Sequence, residues 1–177
     1  MLDKNNFLVV SSKWNDQIRN LYSISNKEMN VSETLTSRVL NDDLCDPTKF
    51  YTQKGNVMIL LILNSTLVGM VGVEKQSEDV AKIQRVTIHS KYRCKGLGYS
   101  LMKYTNRFIL FNLKYKFYAL SCIATNIKAI DFYRRLSFLS EYKITTHFSD
   151  TDNINYNLVH FKNYNLVHFK NYRVHVI

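Results

Sequence analysis

Arg93-Cys94-Lys95-Gly96-Leu97-Gly98-Tyr99-Ser100 is the stretch on which the fold turns, because of what stands on either side of it. Upstream, Ala81 to Ile88 alternates, with Ile83, Val86 and Ile88 as its apolar members, and reads as a strand. Downstream, Gly98 to Leu113 carries Leu101, Met102, Thr105, Phe108, Ile109 and Asn112 at three-and-four spacing. That spacing predicts a helix with one buried face and Lys103 and Arg107 on the other. Phe117–Ile123 follows as a mostly apolar run, expected of a central strand covered on both faces. Strand, loop, helix and strand in this order predict a βαβ crossover.

The loop itself has two readings. Gly96 and Gly98 let consecutive backbone N–H groups approach one anion, the helix start adds its dipole, and Arg93 and Lys95 add charge, so the loop suits a phosphate or pyrophosphate. The other reading is an ordinary Gly-rich turn. A dinucleotide-binding loop is excluded because Leu101 stands where its third glycine belongs, and a P-loop because Lys95-Gly96-Leu97 is not Gly-Lys-Ser/Thr.

Working outward, Val57 to Val73 is nearly long enough and apolar enough to span a bilayer, but Asn64-Ser65-Thr66 interrupts it. Two β-rich runs, Val57–Leu63 and Leu67–Glu74, around a polar turn read as a buried hairpin. Helical spacing is expected at Trp14–Tyr22 and Val31–Leu44, with Asp46-Pro47 as the breaker that ends the second helix. On the far side, Asn126 precedes a short helix from Ile127 to about Leu136, and Phe138–Ile144 is β-like. The tail repeats itself: Asn155–Lys162 is followed by an identical copy, Asn163–Lys170. The first copy is expected as a closing strand and the second as an extension. His160 and His168 lack accompanying carboxylates or thiols, so no metal site is expected there. The organisation read from the chain is an N-terminal strand and helix segment over 1–30, one mixed α/β domain over 31–165, and a duplicated tail over 163–177.

The 177 residues are 46% apolar, 21% charged and 13% aromatic, with one Pro and five Gly, which excludes collagen-like and low-complexity chains. The net charge is +10, yet it is not spread evenly. Between Lys82 and Arg135 stand 12 of the 24 Lys and Arg, and Asp131 is the sole acid there. One basic region facing an anion is the implied arrangement. Cys45, Cys94 and Cys122 are an odd number without metal-type spacing, which fits a reducing compartment. The first ten residues lack the apolar core and cleavage site of a secretory signal, so export is not expected and a cytoplasmic location is.

Ser121-Cys-Ile-Ala-Thr-Asn126 and Ala129-Ile-Asp-Phe-Tyr133-Arg-Arg-Leu-Ser-Phe138, following the Gly loop at this distance, resemble the end of the GCN5-related N-acetyltransferase (GNAT) domain. Ser137 replaces the usual glycine before Phe138. Within that superfamily the chain looks most like the camello-like N-acetyltransferases, on Leu44–Tyr51, Leu67–Val73, Gln84–Arg93 and the Val-His-Phe-Lys of the tail. Those proteins carry an upstream apolar membrane segment, to which residues 1–33 offer no counterpart, so a location at the endoplasmic-reticulum membrane is only the family's alternative.

The resemblance implies an α/β (α+β) fold with a mixed, mostly antiparallel twisted sheet of 6–7 strands, a central βαβ crossover and flanking helices. It implies acetyl coenzyme A as co-substrate and no metal. Val86, Thr87 and Ile88 would pair with the pantetheine arm. Arg93, Cys94, Lys95, Gly96, Leu97 and Gly98 would hold the pyrophosphate, with Ser100 close by. Attack of a neutral amine on the thioester needs proximity, an oxyanion donor and a proton for the leaving thiolate. Tyr133 is the chosen general acid, its other reading being a packing aromatic. Asn126 either bonds the cofactor or caps its helix. Arg85 either clamps a substrate carboxylate or is simply solvated, and Glu74 is the choice for a water-mediated base. Cys122 reads as core rather than acyl carrier. An amine acceptor, no nucleic acid and no membrane span are the expected partnership. Two competing readings remain: a basic nucleic-acid-binding module, and a catalytically silent member kept for interaction.

Overall fold

The computed structural model describes residues 2, 6–115, 117–123, 126–136, 144–149 and 154–163. The strands are β1 (Phe7–Val9), β2 (Val57–Leu63), β3 (Thr66–Lys75), β4 (Val80–Ile88), β5 (Phe117–Ile123), β6 (Ile144–Ser149) and β7 (Ile154–Asn163), in the spatial order β1-β2-β3-β4-β5-β7-β6. The β4–β5 pair is parallel and the other described pairs are antiparallel, so the mixed, mostly antiparallel sheet with its central crossover is present. The helices are α1 (Asn15–Glu28), α2 (Glu33–Leu40), α3 (Pro47–Tyr51), α4 (Leu97–Phe108) and α5 (Ile127–Arg135).

Near-continuous apolar sequence in β2 and β3 is buried on both faces of the sheet, as expected of strands between two helical layers. Their connection is a tight hairpin: Asn64 and Ser65 take φ of 47° and 60°, the left-handed pair that a two-residue turn requires. The hairpin therefore replaces any membrane-spanning reading, and no helix among the described residues is long and apolar enough to cross a bilayer.

Side chains alternate between two cores. Val71, Val73, Ile83, Leu101 and Met102 pack under α4 and α5. Met58, Leu60, Met70, Ile18 and Tyr51 pack under α1 and α3. Gly72 lies on that second side, where a Cβ would sit 2.5 Å from the Tyr51 hydroxyl and 2.8 Å from its ring. The phenol occupies the room that the missing side chain leaves.

Several expectations shift. β1 has three residues, too few for alternation to show. α1 runs to Glu28 instead of Tyr22, because its buried stripe continues through Ser25 and Asn26, polar residues that carry no hydropathy signal. The second helix, expected over Val31–Leu44, spans only Glu33–Leu40, so Asp46-Pro47 does not end it; instead the Asp46 carboxylate accepts from the Lys49 N–H at 3.0 Å, with Pro47 in the first turn, and starts α3. α4 continues through Ile109–Leu113 as a π-helical turn, together covering the expected helix. β7 contains the first tail repeat and Asn163, whereas Ser137, Phe138–Lys143 and the second repeat beyond Asn163, with His168, lie outside the described residues.

Candidate active site

The site begins where the central sheet stops pairing. β4 and β5 match from Val80↔Phe117 to Ile83↔Leu120, and no further. Beyond that rung, Gln84–Ile88 faces β3 alone among the described strands, through Gln84↔Gly72, Thr87↔Met70 and Ile88↔Gly69. Among the described strands Ser121–Ile123 faces only β7. A wedge opens between the two strands. Its cause is a β-bulge: Arg85 and Val86 together oppose the single Val71, and Arg85 adopts the left-handed φ of 56°. Val86, Thr87 and Ile88 line the wedge, with backbone edges that no described strand covers on the β5 side.

The Gly loop closes the wide end. Cys94 and Gly96 are left-handed, with φ of 58° and 73°. The first helical hydrogen bond of α4 is the Ser100 N–H to the Gly96 carbonyl at 3.0 Å. The N–H groups of Leu97, Gly98 and Tyr99 precede that bond and so point out of the helix start without an intrahelical acceptor. A Cβ on Gly98 would stand 3.3 Å from the Phe132 ring and 3.7 Å from Ile88, so the bare glycine lets α5, β4 and the loop converge. Converging amides beside the exposed Lys91 and Lys95 fit a diphosphate. Lys95 also lies 5.7 Å over the Tyr92 ring. The Ser100 hydroxyl turns back to the Gly96 carbonyl at 3.3 Å.

Three cations of the basic stretch are paired within the protein. Arg93 does not reach toward an anion: its Nε donates to the Ile88 carbonyl at 2.8 Å, and its Nη2 lies 2.8 Å from Ser25 Oγ and 3.0 Å from Glu28 Oε2. Its N–H is likewise donated to the Ser90 carbonyl. Arg93 thus pins the loop to α1, a tie reinforced by Ser90 Oγ donating to Glu28 at 2.6 Å. Arg85, read either as a clamp for a substrate carboxylate or as solvated, is held by Asp43: Nε lies 3.1 and 3.0 Å from the two carboxylate oxygens and Nη2 lies 2.7 Å from Oδ1. Lys82 faces Glu74 at 3.6 Å. The basic stretch is therefore partly neutralised by acids from outside it.

Tyr133 is only 6% exposed and packs in the α4/α5 core beside Cys122. Burial, and secondarily Cys122, pushes its phenol above the ordinary range, so its proton is held even more firmly than that of a free tyrosine, which is itself protonated at neutral pH. Burial likewise raises the half-buried Cys122 thiol from 9.0 to about 11, which suits a core cysteine and opposes an acyl carrier. Asn126 caps α5 by accepting from the Ala129 N–H at 3.2 Å, while its amide nitrogen lies 3.6 Å from the Met29 sulfur at the end of α1. Glu74 shares the α1/α3 side of the sheet with Gln84 and Gly72, about 10 Å along the strands from Arg85 at ~3.3 Å per residue.

Asp43, Tyr51, Tyr22 and Glu28 escape sequence reasoning altogether. One signal was available for the bulge that Asp43, Tyr51 and Tyr22 surround. Ile83, Val86 and Ile88 all point into one core, and a step of three between the first two is an extra residue in a period of two. A separate cleft of about 460 Å³ lies on the β1 side of the sheet, lined in part by Asn6, Lys13, Trp14 and Asn64, and contains none of these residues. Among the described residues no group of His, Cys, Asp or Glu could hold a metal ion.

The geometry has counterparts. The family model described as the acetyltransferase (GNAT) family matches residues 16–138. A search of curated proteins finds no significant match. Among solved structures, a GNAT-family acetyltransferase from Staphylococcus aureus Mu50 superposes with a TM-score of 0.68 at 17% identity, over 88% of this chain and 98% of that one. A spermidine/spermine N-acetyltransferase from Vibrio cholerae gives 0.67 at 14% identity, over 93% and 94%. A candidate streptothricin acetyltransferase from Bacillus anthracis, solved with acetyl coenzyme A, gives 0.56 at 17% identity, over 66% of each chain. At these identities the likeness is one of fold, and the family model carries the assignment. With the split sheet, the amide-lined loop and that match in agreement, the chain belongs to the GNAT acetyltransferase family, an acyltransferase of class EC 2.3.1 that takes acetyl coenzyme A as co-substrate.

Proposed function

We propose that the chain is an N-acetyltransferase that passes the acetyl group directly to a primary amine, carried by a small amino-acid-like molecule or a protein. The observation that supports this reading is the wedge itself. Four rungs of parallel pairing end at Ile83, and the freed edges of β4 lead to a loop of outward-pointing amides. The camello-like proteins are the subfamily we favour, on the sequence blocks quoted above.

Val86, Thr87 and Ile88 offer the pantetheine arm a strand edge, and the amides of the Arg93–Gly98 loop, of which Leu97 and Gly98 have no intrahelical acceptor, hold the diphosphate. Bound there, acetyl coenzyme A supplies the thioester. The C–N bond to the amine forms as the C–S bond breaks. Tyr133 Oη, protonated at neutral pH as any phenol is, donates to the departing sulfur. The proton lost by the amine leaves through water toward Glu74. Asn126 orients the start of α5 on which Tyr133 stands.

Charge pairing bears on the acceptor. Asp43 and Glu74, carboxylates on the α1/α3 side, are paired with Arg85 and Lys82. Weak base assistance favours an α-amine, with a pKa near ~8, over a lysine amine near ~10.4. Calorimetry with acetyl coenzyme A, followed by an acetylation screen over amino acids, cysteine conjugates and peptides, tests the reading. α-Amines should be acetylated in preference to ε-amines. Tyr133→Phe should lower kcat by about 100-fold and leave acetyl coenzyme A affinity within a factor of about two. Binding without turnover on any amine would favour the catalytically silent reading, and absence of binding would reject both.

A further inference from the structure

We propose that Asp43, supported by Tyr51 and Gln84, is a positioning residue that locks Arg85 into the left-handed bulge and thereby holds β4 apart from β5 at the width that acetyl coenzyme A needs. The proposal rests on the acetyltransferase reading above. It begins from a misfit: arginine has neither glycine's freedom nor the short local hydrogen bonds that let asparagine occupy the left-handed region. Arg85 sits there at φ 56° nonetheless, so something outside its own backbone must hold it.

The holding group arrives from 42 residues away. Asp43 follows α2, is 2% exposed, and grips the Arg85 fork with both carboxylate oxygens, a geometry that fixes direction as well as distance. Tyr51 donates its hydroxyl to Asp43 Oδ2 and accepts from Gln84 Nε2 at 3.1 Å. Burial and the neighbouring carboxylate push the Tyr51 phenol far up, so it remains a donor to Asp43. Gln84 is the residue before the bulge, and the network therefore clamps the strand on both sides of its kink. The Tyr22 ring lies 5.6 Å from the Arg85 guanidinium and covers it.

If the pair were only stabilising the core, the backbone preference of residue 85 would be irrelevant to ligand binding. Three variants of the full chain separate the two roles: Asp43→Asn, Asp43→Asn with Arg85→Gly, and Asp43→Asn with Arg85→Val. Glycine takes the left-handed conformation without strain, whereas β-branched valine resists it. Neither double variant leaves an unpaired buried cation. Acetyl coenzyme A affinity by calorimetry should fall about tenfold or more in Asp43→Asn, because the wedge loses its geometry. The glycine double should recover to within about threefold of wild type and the valine double should not. Hydrogen exchange on the ligand-free proteins should show the Val86–Ile88 amides better protected in the valine double than in the glycine double, as β4 relaxes toward β5.

Equal affinity and equal exchange in the two doubles would overturn the proposal, as would wild-type binding by a folded Asp43→Asn. Should Asp43→Asn fail to fold, the two doubles decide alone. A wild-type chain that binds no acetyl coenzyme A would count against the acetyltransferase reading, while the exchange contrast would still decide the role of Asp43.

Discussion

Val80–Ile83 and Gln84–Ile88 are halves of one strand with opposite duties. The first half is paired to β3 and β5, and Ala81 and Ile83 are 0% and 1% exposed. The second is paired to β3 alone, kinked at Arg85, and bounded by a loop whose amides point outward. A sheet makes a binding site by withholding hydrogen bonds, and it can do so only where neighbouring structure enforces the gap. Backbone groups left without partners are costly when buried, so the open edge invites an extended ligand with polar groups of its own.

The contrast is open to attack from both ends. Gly98→Arg should have the largest effect, placing a side chain against Phe132 and across the loop amides. Acetyl coenzyme A affinity should drop by about two orders of magnitude or more while the far-UV spectrum stays unchanged. Equal binding by this variant and the wild type would move the donor site elsewhere. Ile83→Ala strikes the paired half instead. It should remove about 2–5 kcal/mol from stability in urea titration and change acetyl coenzyme A affinity by less than about threefold. A loss of affinity matching that of Gly98→Arg would mean that the halves are not separable.

The smallest effect concerns Cys122, on the β5 side of the wedge. Because burial raises its thiol from 9.0 to about 11, the folded chain retains a proton that the unfolded chain releases in this interval. Its contribution to stability is complete below pH 9 and is lost as pH rises through 11. The thermal midpoint should decline over that window, and Cys122→Ala should flatten part of the decline. Tyr133, raised by burial in the same sense, extends the loss to higher pH. An unchanged profile in Cys122→Ala would place the thiol outside the low-dielectric core.

Local chemistry was legible in the chain and long-range pairing was not. β5 spans the expected Phe117–Ile123, and the loop and α5 follow from glycines, apolar spacing and the Asn126 cap, all features of contiguous residues. The partners of Arg93 and Arg85 are not legible in the chain because they come from α1 and from the segment after α2, 65 and 42 positions away by subtraction of residue numbers. An arginine beside a Gly loop looks like an anion ligand until its acid is known. The bulge sits between these cases: its extra residue is written in the spacing of Ile83, Val86 and Ile88, but the carboxylate that holds it is not.

Gly72 carries a consequence that its ordinary backbone angles conceal. Even a methyl group at this position would collide with Tyr51, whose hydroxyl anchors the carboxylate beneath the kinked strand. An alanine there would evict the ring and slacken the anchorage without touching a ligand. The tolerance of the catalytic cleft to change is thus set partly by a residue with no chemistry at all, whose contribution is empty volume.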